Sequence, residues 1–442
     1  MKKKVAVINL GCPKNQVDSE VLAGFLVRKY QLVDEPAKAH IIIVNTCTFI
    51  DEAKQESINE LCQMVEYKKN GICEKVIATG CMAQRYGKEL IEEIPELDMV
   101  LGDGNLANIL DHIEEAKDKR LLTWQETQSF LYDEKMPRQR FEESHYAYIK
   151  IAEGCNNRCS YCVIPQIKGS YRSRTKESIL GEVAWLAEQG VKEIIVTAQD
   201  TTRYGMDIYQ GLELANLLAA IAEIDGIEWI RLLYCYPEVF TDELIEVMRK
   251  EPKICKYLDI PLQHANNKIL TEMNRRYLKQ DVERLINKLR KAIPDIVLRT
   301  TFITGFPGEG EEEYAELQNF VREMKFDRLG VFAYSREENT PAGMRKDQVP
   351  EEVREDRKNR LLELQAEQAE ENQKKWIGKT VKVLLEERLD HTQWLGRSEG
   401  DAPEIDGQVY VRAQKKEFST GDMIEVTVTN ADIYDLEGEA RC

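Results

Sequence analysis

The stretch AYIKIAEGCNNRCSYCVIP, residues 147–165, places a short apolar run immediately before a loop that carries Cys155, Cys159 and Cys162. A run of this kind feeding a polar, Gly-containing loop reads as a strand entering a turn. The same grammar recurs in EIIVTA (193–198), EWIRLL (228–233), YLDI (257–260), IVLRTTFI (296–303) and RLGVFA (328–333), and a helical stretch follows each of the first five runs. Six such units predict an open or partial βα barrel whose chemistry sits at the carboxyl ends of its strands.

Three thiolates this close together can wrap one face of a metal centre, and soft sulfur ligands select zinc or an iron–sulfur cluster. Structural zinc wants four closed ligands, commonly as two pairs, and no fourth Cys or His follows within the next twenty residues. A [4Fe–4S] cluster held by three cysteines leaves one iron open to a substrate or cofactor. Idle thiols in such a loop would be prone to oxidation, so a bound centre is the better reading.

Upstream, VAVINL (5–10), IIIVN (41–45), KVIATG (75–80) and MVLG (99–102) alternate with amphipathic segments, the pattern of an open parallel sheet with helices on its faces. Cys12, Cys47 and Cys81 each follow one of these runs, in the turn just beyond a strand's carboxyl end. In an open α/β sheet such turns line one crevice, so three thiols distant in sequence are expected to converge there as a second three-cysteine centre. Cys62, Cys73, Cys235, Cys255 and Cys442 share no such placement and read as structural or incidental.

Residues 117–145 lose the rhythm and read as a linker or lid. The run 350–376 is Pro-initiated, rich in strong helix formers and free of Gly, and predicts one long connecting helix. From 379 the period switches to two, and TVKVLLEE, TQWLGR, GQVYVR, MIEVTVT and ADIYDLE predict a small five-stranded β-barrel. The expected division is an α/β domain at 1–120, a linker at 121–145, the partial βα barrel at 146–349, the connecting helix at 350–375 and the β-barrel at 376–442.

Composition bounds the function. The 442 residues suffice for two or three cores, and 43% hydrophobic with 31% charged residues is ordinary for a globular chain. No apolar run reaches the length of a membrane span, and the start, MKKKVAVINLGCPKN, reads as a first strand rather than a secretory signal. Eleven cysteines without a secretory signal suit a reducing cytoplasm, where thiols stay free to act as ligands. Sixty-one Lys and Arg against 78 Asp and Glu give a net charge of −17, and residues 376–442 alone carry eight basic and fourteen acidic residues. That sign disfavours phosphate backbones and favours a basic partner, so direct nucleic-acid binding is not expected. GFPGE (305–309) and GDGN (102–105) lack the spacing of a phosphate-cradling loop, so no nucleotide triphosphate site is assigned.

EGCNNRCSYCVIP resembles the Cys-x-x-x-Cys-x-x-Cys signature of radical S-adenosylmethionine enzymes, and the N-terminal cysteines resemble those of the methylthiotransferases within that superfamily. The resemblance runs through nearly the whole chain, from an N-terminal methylthiotransferase domain through a radical-SAM barrel to a TRAM-like β-barrel. Within the class, GCPKNQVDSE (11–20), TAQDTTRYGMD (197–207), YLDIPLQHA (257–265), RTTFITGFPGE (299–309), FDRLGVFAYS (326–335) and DAPEIDG (401–407) are similar to the branch that modifies an aspartate of small-subunit ribosomal protein S-twelve.

The resemblance implies two [4Fe–4S] clusters. One, on Cys155, Cys159 and Cys162, would bind S-adenosylmethionine and generate a 5′-deoxyadenosyl radical. The other, on Cys12, Cys47 and Cys81, would carry sulfide or persulfide for delivery. It also implies a low-potential electron donor such as flavodoxin or ferredoxin, and it offers Tyr161 and Gln199 as contacts to S-adenosylmethionine. Arg172 and Arg174, in GSYRSR, are candidates for a carboxylate of cofactor or substrate. Gln199, Asp200, Tyr234, Tyr236, Gln263, His264, Thr304, Tyr334 and Ser335 follow the apolar runs and are expected around the reaction chamber, with His264 read as a hydrogen-bonded structural residue. Two other readings stay open: a tRNA adenosine methylthiotransferase with the same cysteines, and a non-enzymatic metal-binding RNA adaptor.

Overall fold

The computed structural model describes residues 2–116, 119–124, 130–141, 144–413 and 418–441. In its first domain the β-branched runs pair as parallel strands β1 (Lys4–Asn9), β2 (Gln31–Leu32), β3 (Ile41–Thr46), β4 (Lys75–Gly80), β5 (Met99–Leu101) and β6 (Leu121–Thr123), in spatial order β2-β1-β3-β4-β5-β6. The central runs read as nearly continuous apolar segments because helices cover both faces of the sheet, burying Ile42, Val44 and Val76 on one side and Ile41, Ile43 and Ile77 on the other. β6 pairs Met99 with Leu121 and so carries the sheet past residue 120, into the segment expected to be a linker.

The central domain opens with β7 (Tyr146–Lys150) and the short antiparallel pair β8 (Ala152–Glu153) and β9 (Arg172–Ser173) that brackets the cysteine loop. It continues through β10 (Glu193–Thr197), β11 (Trp229–Leu232), β12 (Ile254–Asp259), β13 (Val297–Thr304) and β14 (Arg328–Ala333). The order β14-β13-β12-β11-β10-β7 is parallel throughout, an open six-stranded βα barrel. Alternate residues divide its two faces. Ile149, Ile194, Val196, Leu258 and Leu298 join the apolar layer that includes the surrounding helices, whereas Tyr148, Ile195, Tyr257 and Val297 form a separate inner cluster. That cluster also takes in Val17 and Val21 from the first domain and Leu384 and Ala402 from the last, so all three domains share one core.

The helix Glu351–Lys374 lies against β14 and leads to a closed barrel of β15 (Thr380–Arg388), β16 (Gln393–Ser398), β17 (Val409–Arg412), β18 (Met423–Ala431) and β19 (Leu436–Ala440). The expected last strand, 431–437, instead begins as a turn. Asp432 N–H donates to the Asp435 carbonyl at 2.9 Å, and the strand proper starts at Leu436. Parts of 117–145 lie outside the described residues. Within it, residues 130–141 form a docked strap. Tyr132 is buried, and Arg138 bridges Glu20 of the first domain and Glu182 of the second at 2.6 Å each. No helix among the described residues is long and apolar enough to cross a membrane.

Candidate active site

Parallel register brings the N-terminal cysteines together. Asn9 lies opposite Asn45, and Thr46 opposite Gly80, so the residues that follow leave the sheet side by side. Cys12 caps the helix Pro13–Leu26, Cys47 follows β3, and Cys81 starts the helix Cys81–Glu93. Two glycines permit this approach. At Gly11 (φ +91°) a Cβ would fall 2.9 Å from Cys47 Sγ, and at Gly80 (φ +89°) it would strike Asn45 and the Thr46 backbone. Asn15 ties the three strand ends: its Nδ2 donates to the carbonyls of Leu10 (2.9 Å) and Thr46 (3.3 Å), and its Oδ1 accepts from Cys81 Sγ at 3.7 Å. Burial and then the neighbouring Cys12 push the Cys47 thiol up, and burial pushes Cys81 up further.

The second trio occupies the loop between β8 and the helix Ile164–Lys168. Cys155 N–H donates to the Gly169 carbonyl at 3.1 Å, which closes the loop at its base. Cys162 Sγ accepts from Ile164 N–H at 3.5 Å, and Cys159 Sγ accepts from Arg275 Nη1 at 3.6 Å and lies 3.4 Å from the Tyr236 hydroxyl. N–H groups aimed at sulfur suit thiolate ligands. Burial raises the Cys155 thiol to about 11 and carries Cys162 higher, with Cys159 adding to the rise. Cys155 and Cys162, both held up, share one loop with the buried Cys159, a donor set that suits a cationic centre. Among the described residues, no three His, Cys, Asp or Glu side chains are close enough to hold a single metal ion.

One short helix separates the two trios. Cys81 packs on Val163 and Ile167, directly after Cys162. Beyond β11, Tyr236 touches Cys159 of one trio, while Tyr234 carries Lys14, two residues from Cys12, on its ring face at 3.3 Å. Beside them runs a buried ionic chain. Lys150 pairs with Asp18 and Glu153, and Lys168 pairs with Asp103 at 2.9 Å and Asp18 at 3.3 Å. Burial opposes the charge of Lys168, but Asp103, Glu153 and Asp18 outweigh it and hold the ammonium well above its usual value. The strand ends of the first domain and of the barrel thus face each other across a charged seam.

Gln199 Nε2 donates to Glu153 Oε1 at 2.6 Å, and its buried Oε1 has no protein partner among the described residues, leaving an acceptor for a ligand. Tyr161 is half-buried beside Met273, Phe306 and Tyr334. Arg172 donates to the carbonyls of Ser170, Lys168 and Phe130 and braces the cysteine loop, with its Nε unpartnered among the described residues. Arg174 corrects the expectation of a cofactor carboxylate. Its guanidinium is committed to Glu182, the Lys150 carbonyl and Ser178, and it stacks on Tyr132 at 4.1 Å. An arginine satisfied on every nitrogen has no N–H left for a ligand. His264 is locked internally: Nδ1 accepts from Asn266 N–H at 2.9 Å, which places the proton on Nε2, 3.2 Å from Glu309. Sequence reasoning missed Arg275, because MNRRY (273–277) reads as an ordinary loop until the fold brings it to Cys159.

Comparison with known proteins now decides the family. A relative from Desulfitobacterium hafniense (strain Y51) named ribosomal protein uS12 methylthiotransferase RimO is 58% identical over 99% of both chains. The chain belongs to the RimO family. A second RimO, from Desulforamulus reducens, is 49% identical over 98% of this chain and 99% of that one. Within this RimO-family chain, the Radical SAM superfamily matches residues 149–321, the family described as uncharacterized protein family UPF0004 matches 4–102, and the TRAM domain matches 377–440. A solved radical S-adenosylmethionine methyltransferase, TsrM from Kitasatospora setae, is similar with a TM-score of 0.54 and 16% identity, covering 78% of this chain and 77% of that one, a likeness of fold. The chain is a radical SAM methylthiotransferase.

Proposed function

We propose that this chain attaches a methylthio group to the β-carbon of an aspartate in small-subunit ribosomal protein S-twelve (uS12), using S-adenosylmethionine and two [4Fe–4S] clusters. The observation that carries the reading is the packing of Cys81 of one trio on Val163 and Ile167, directly after Cys162 of the other, in a chain whose full-length relatives are named uS12 methylthiotransferases. Cys155, Cys159 and Cys162 would hold one cluster, and Cys12, Cys47 and Cys81 the other, each leaving an iron free. When bound, the first cluster with S-adenosylmethionine supplies a 5′-deoxyadenosyl radical for hydrogen abstraction, and the second supplies sulfur.

The chain's own residues prepare this site. Arg275 lies on the Tyr236 ring at 4.0 Å and donates to Cys159, setting a positive charge against the thiolates. Cys12 and Cys81 stand at helix starts, the positive end of the helix dipole. Gln199 and Tyr161 would meet S-adenosylmethionine at the mouth, and the buried seam around Lys150 and Lys168 excludes water between the two centres. A basic ribosomal protein suits a chain of net charge −17, in the cytoplasm and with a low-potential donor such as flavodoxin or ferredoxin.

The test is the intact mass of uS12 after anaerobic turnover with enzyme containing about eight irons per chain. A methylthio-sized increment on one aspartate is expected. Unmodified uS12 alongside methylthiolated adenosine in tRNA would overturn the substrate assignment.

A further inference from the structure

Three lysines are buried along the seam between the first domain and the barrel. Lys150 and Lys168 have carboxylate partners, whereas Lys14, only 8% exposed, makes no ion pair with any described residue. Burial opposes the Lys14 charge, and Tyr234, Cys12 and Glu153 outweigh that cost without any carboxylate at pairing distance. Its position raises that cost, because Lys14 sits in the first turn of the helix Pro13–Leu26, at the positive end of the helix dipole. The ring beneath it is held under strain. Tyr234 adopts φ +57°, a left-handed conformation that a bulky residue rarely takes, and Asp259 Oδ2 secures it by accepting the Tyr234 N–H at 3.0 Å. Fold and strain together hold an ammonium beside Cys12, beyond the carboxyl end of β11.

We propose that Lys14 is a specificity-determining residue whose ammonium, fixed on Tyr234, pairs with the carboxylate of the aspartate to be modified. The inference rests on the proposed substrate reading and deepens it, since a carboxylate supplies the missing counter-charge and lies one bond from the carbon that receives sulfur. A truncated or neutral side chain would leave the ammonium unpaired and bind more weakly.

The experiment measures binding of full-length reconstituted enzyme to uS12 and to uS12 with the target aspartate changed to asparagine, for wild type, Lys14→Met and Lys14→Arg. Wild type is expected to prefer the aspartate form by about tenfold or more, Lys14→Met to lose that preference, and Lys14→Arg to retain most of it. Iron content and S-adenosylmethionine affinity, read on the same samples, are expected to be unchanged. A preference that survives Lys14→Met overturns the inference. So does a loss of S-adenosylmethionine affinity, which would give the lysine to the cofactor's carboxylate, or a loss of iron, which would give it to the Cys12 centre. Binding of neither form by wild type would overturn the substrate reading as well.

Discussion

The two mouths of the partial βα barrel both hold buried ion pairs but differ in their uncharged polar groups. At the amino-terminal mouth, buried charges meet their counter-charges. Glu193 accepts from Arg231 at 2.6 Å and from Arg397 at 2.7 Å, Arg328 pairs with Asp401 at 2.6 Å, and Tyr257 donates to Asp406 at 2.7 Å. Most of these partners come from the loop 397–406 of the last domain, which plugs the barrel from below. At the carboxyl-terminal mouth, Gln199 Oε1, Thr197 Oγ1, Tyr171 OH and Tyr334 OH are buried without a protein partner among the described residues, beside six free cysteines. Satisfied polar groups hold a structure in one arrangement, whereas unsatisfied ones are a stability cost that a ligand can offset. One end of the strands seals the fold and the other is kept for chemistry.

The largest effect should come from breaking the reactive mouth. Cys159→Ala is expected to abolish 5′-deoxyadenosine formation, whereas Cys47→Ala should retain it and lose methylthio transfer. Chromatography of the nucleoside together with product mass separates the two. If Cys47→Ala also stops cleavage while the other cluster remains spectroscopically intact, the two trios do not divide the work.

Breaking the sealed mouth should cost stability instead. Glu193→Ala leaves the buried Arg231 without its carboxylate and removes one of the two that Arg397 has, and is expected to lose about 3–5 kcal/mol in denaturant unfolding. Burial alone would raise the Glu193 carboxyl, but Arg231 and Arg397 outweigh it and hold the group below the usual carboxylate range. Its stabilisation is therefore complete above about pH 4.5 and is lost as pH falls through the lower folded value. The gap between wild type and Glu193→Gln should narrow only in that acid window. A gap that does not change with pH would mean the pair contributes packing rather than charge.

The smallest effect is expected at Gln199. Gln199→Leu removes the open acceptor and the bond to Glu153, and should weaken S-adenosylmethionine binding by about tenfold while changing unfolding free energy by under about 1 kcal/mol. Calorimetric titration and unfolding read the two quantities separately. An unchanged affinity would remove Gln199 from the cofactor site.

Legibility followed the range of the interactions. RLGVFA is readable to the residue, since β14 spans Arg328–Ala333, and the cysteine loop is readable because its three thiols share one turn. The 431–437 strand was misplaced because Asp432 and Asp435 close a turn that apolar alternation cannot reveal. Arg174 invited a ligand role, yet Glu182 and Tyr132 claim its guanidinium. Glu193 sits in an apolar run and shows no sign of its partner Arg397, 204 positions away.

Periodicity and spacing, which act over a few residues, are enough to specify the strands, the helices and the loop of Cys155, Cys159 and Cys162. They also place Cys12, Cys47 and Cys81 each beyond a strand end. Which strands lie adjacent, and therefore that those three cysteines leave the sheet side by side, that Arg275 reaches Cys159 and that Lys14 comes to rest on Tyr234, depends on sheet register and on domains packing across a shared core. Contacts between residues far apart in the chain leave no local pattern, because the energy that selects them arises only when the whole fold closes.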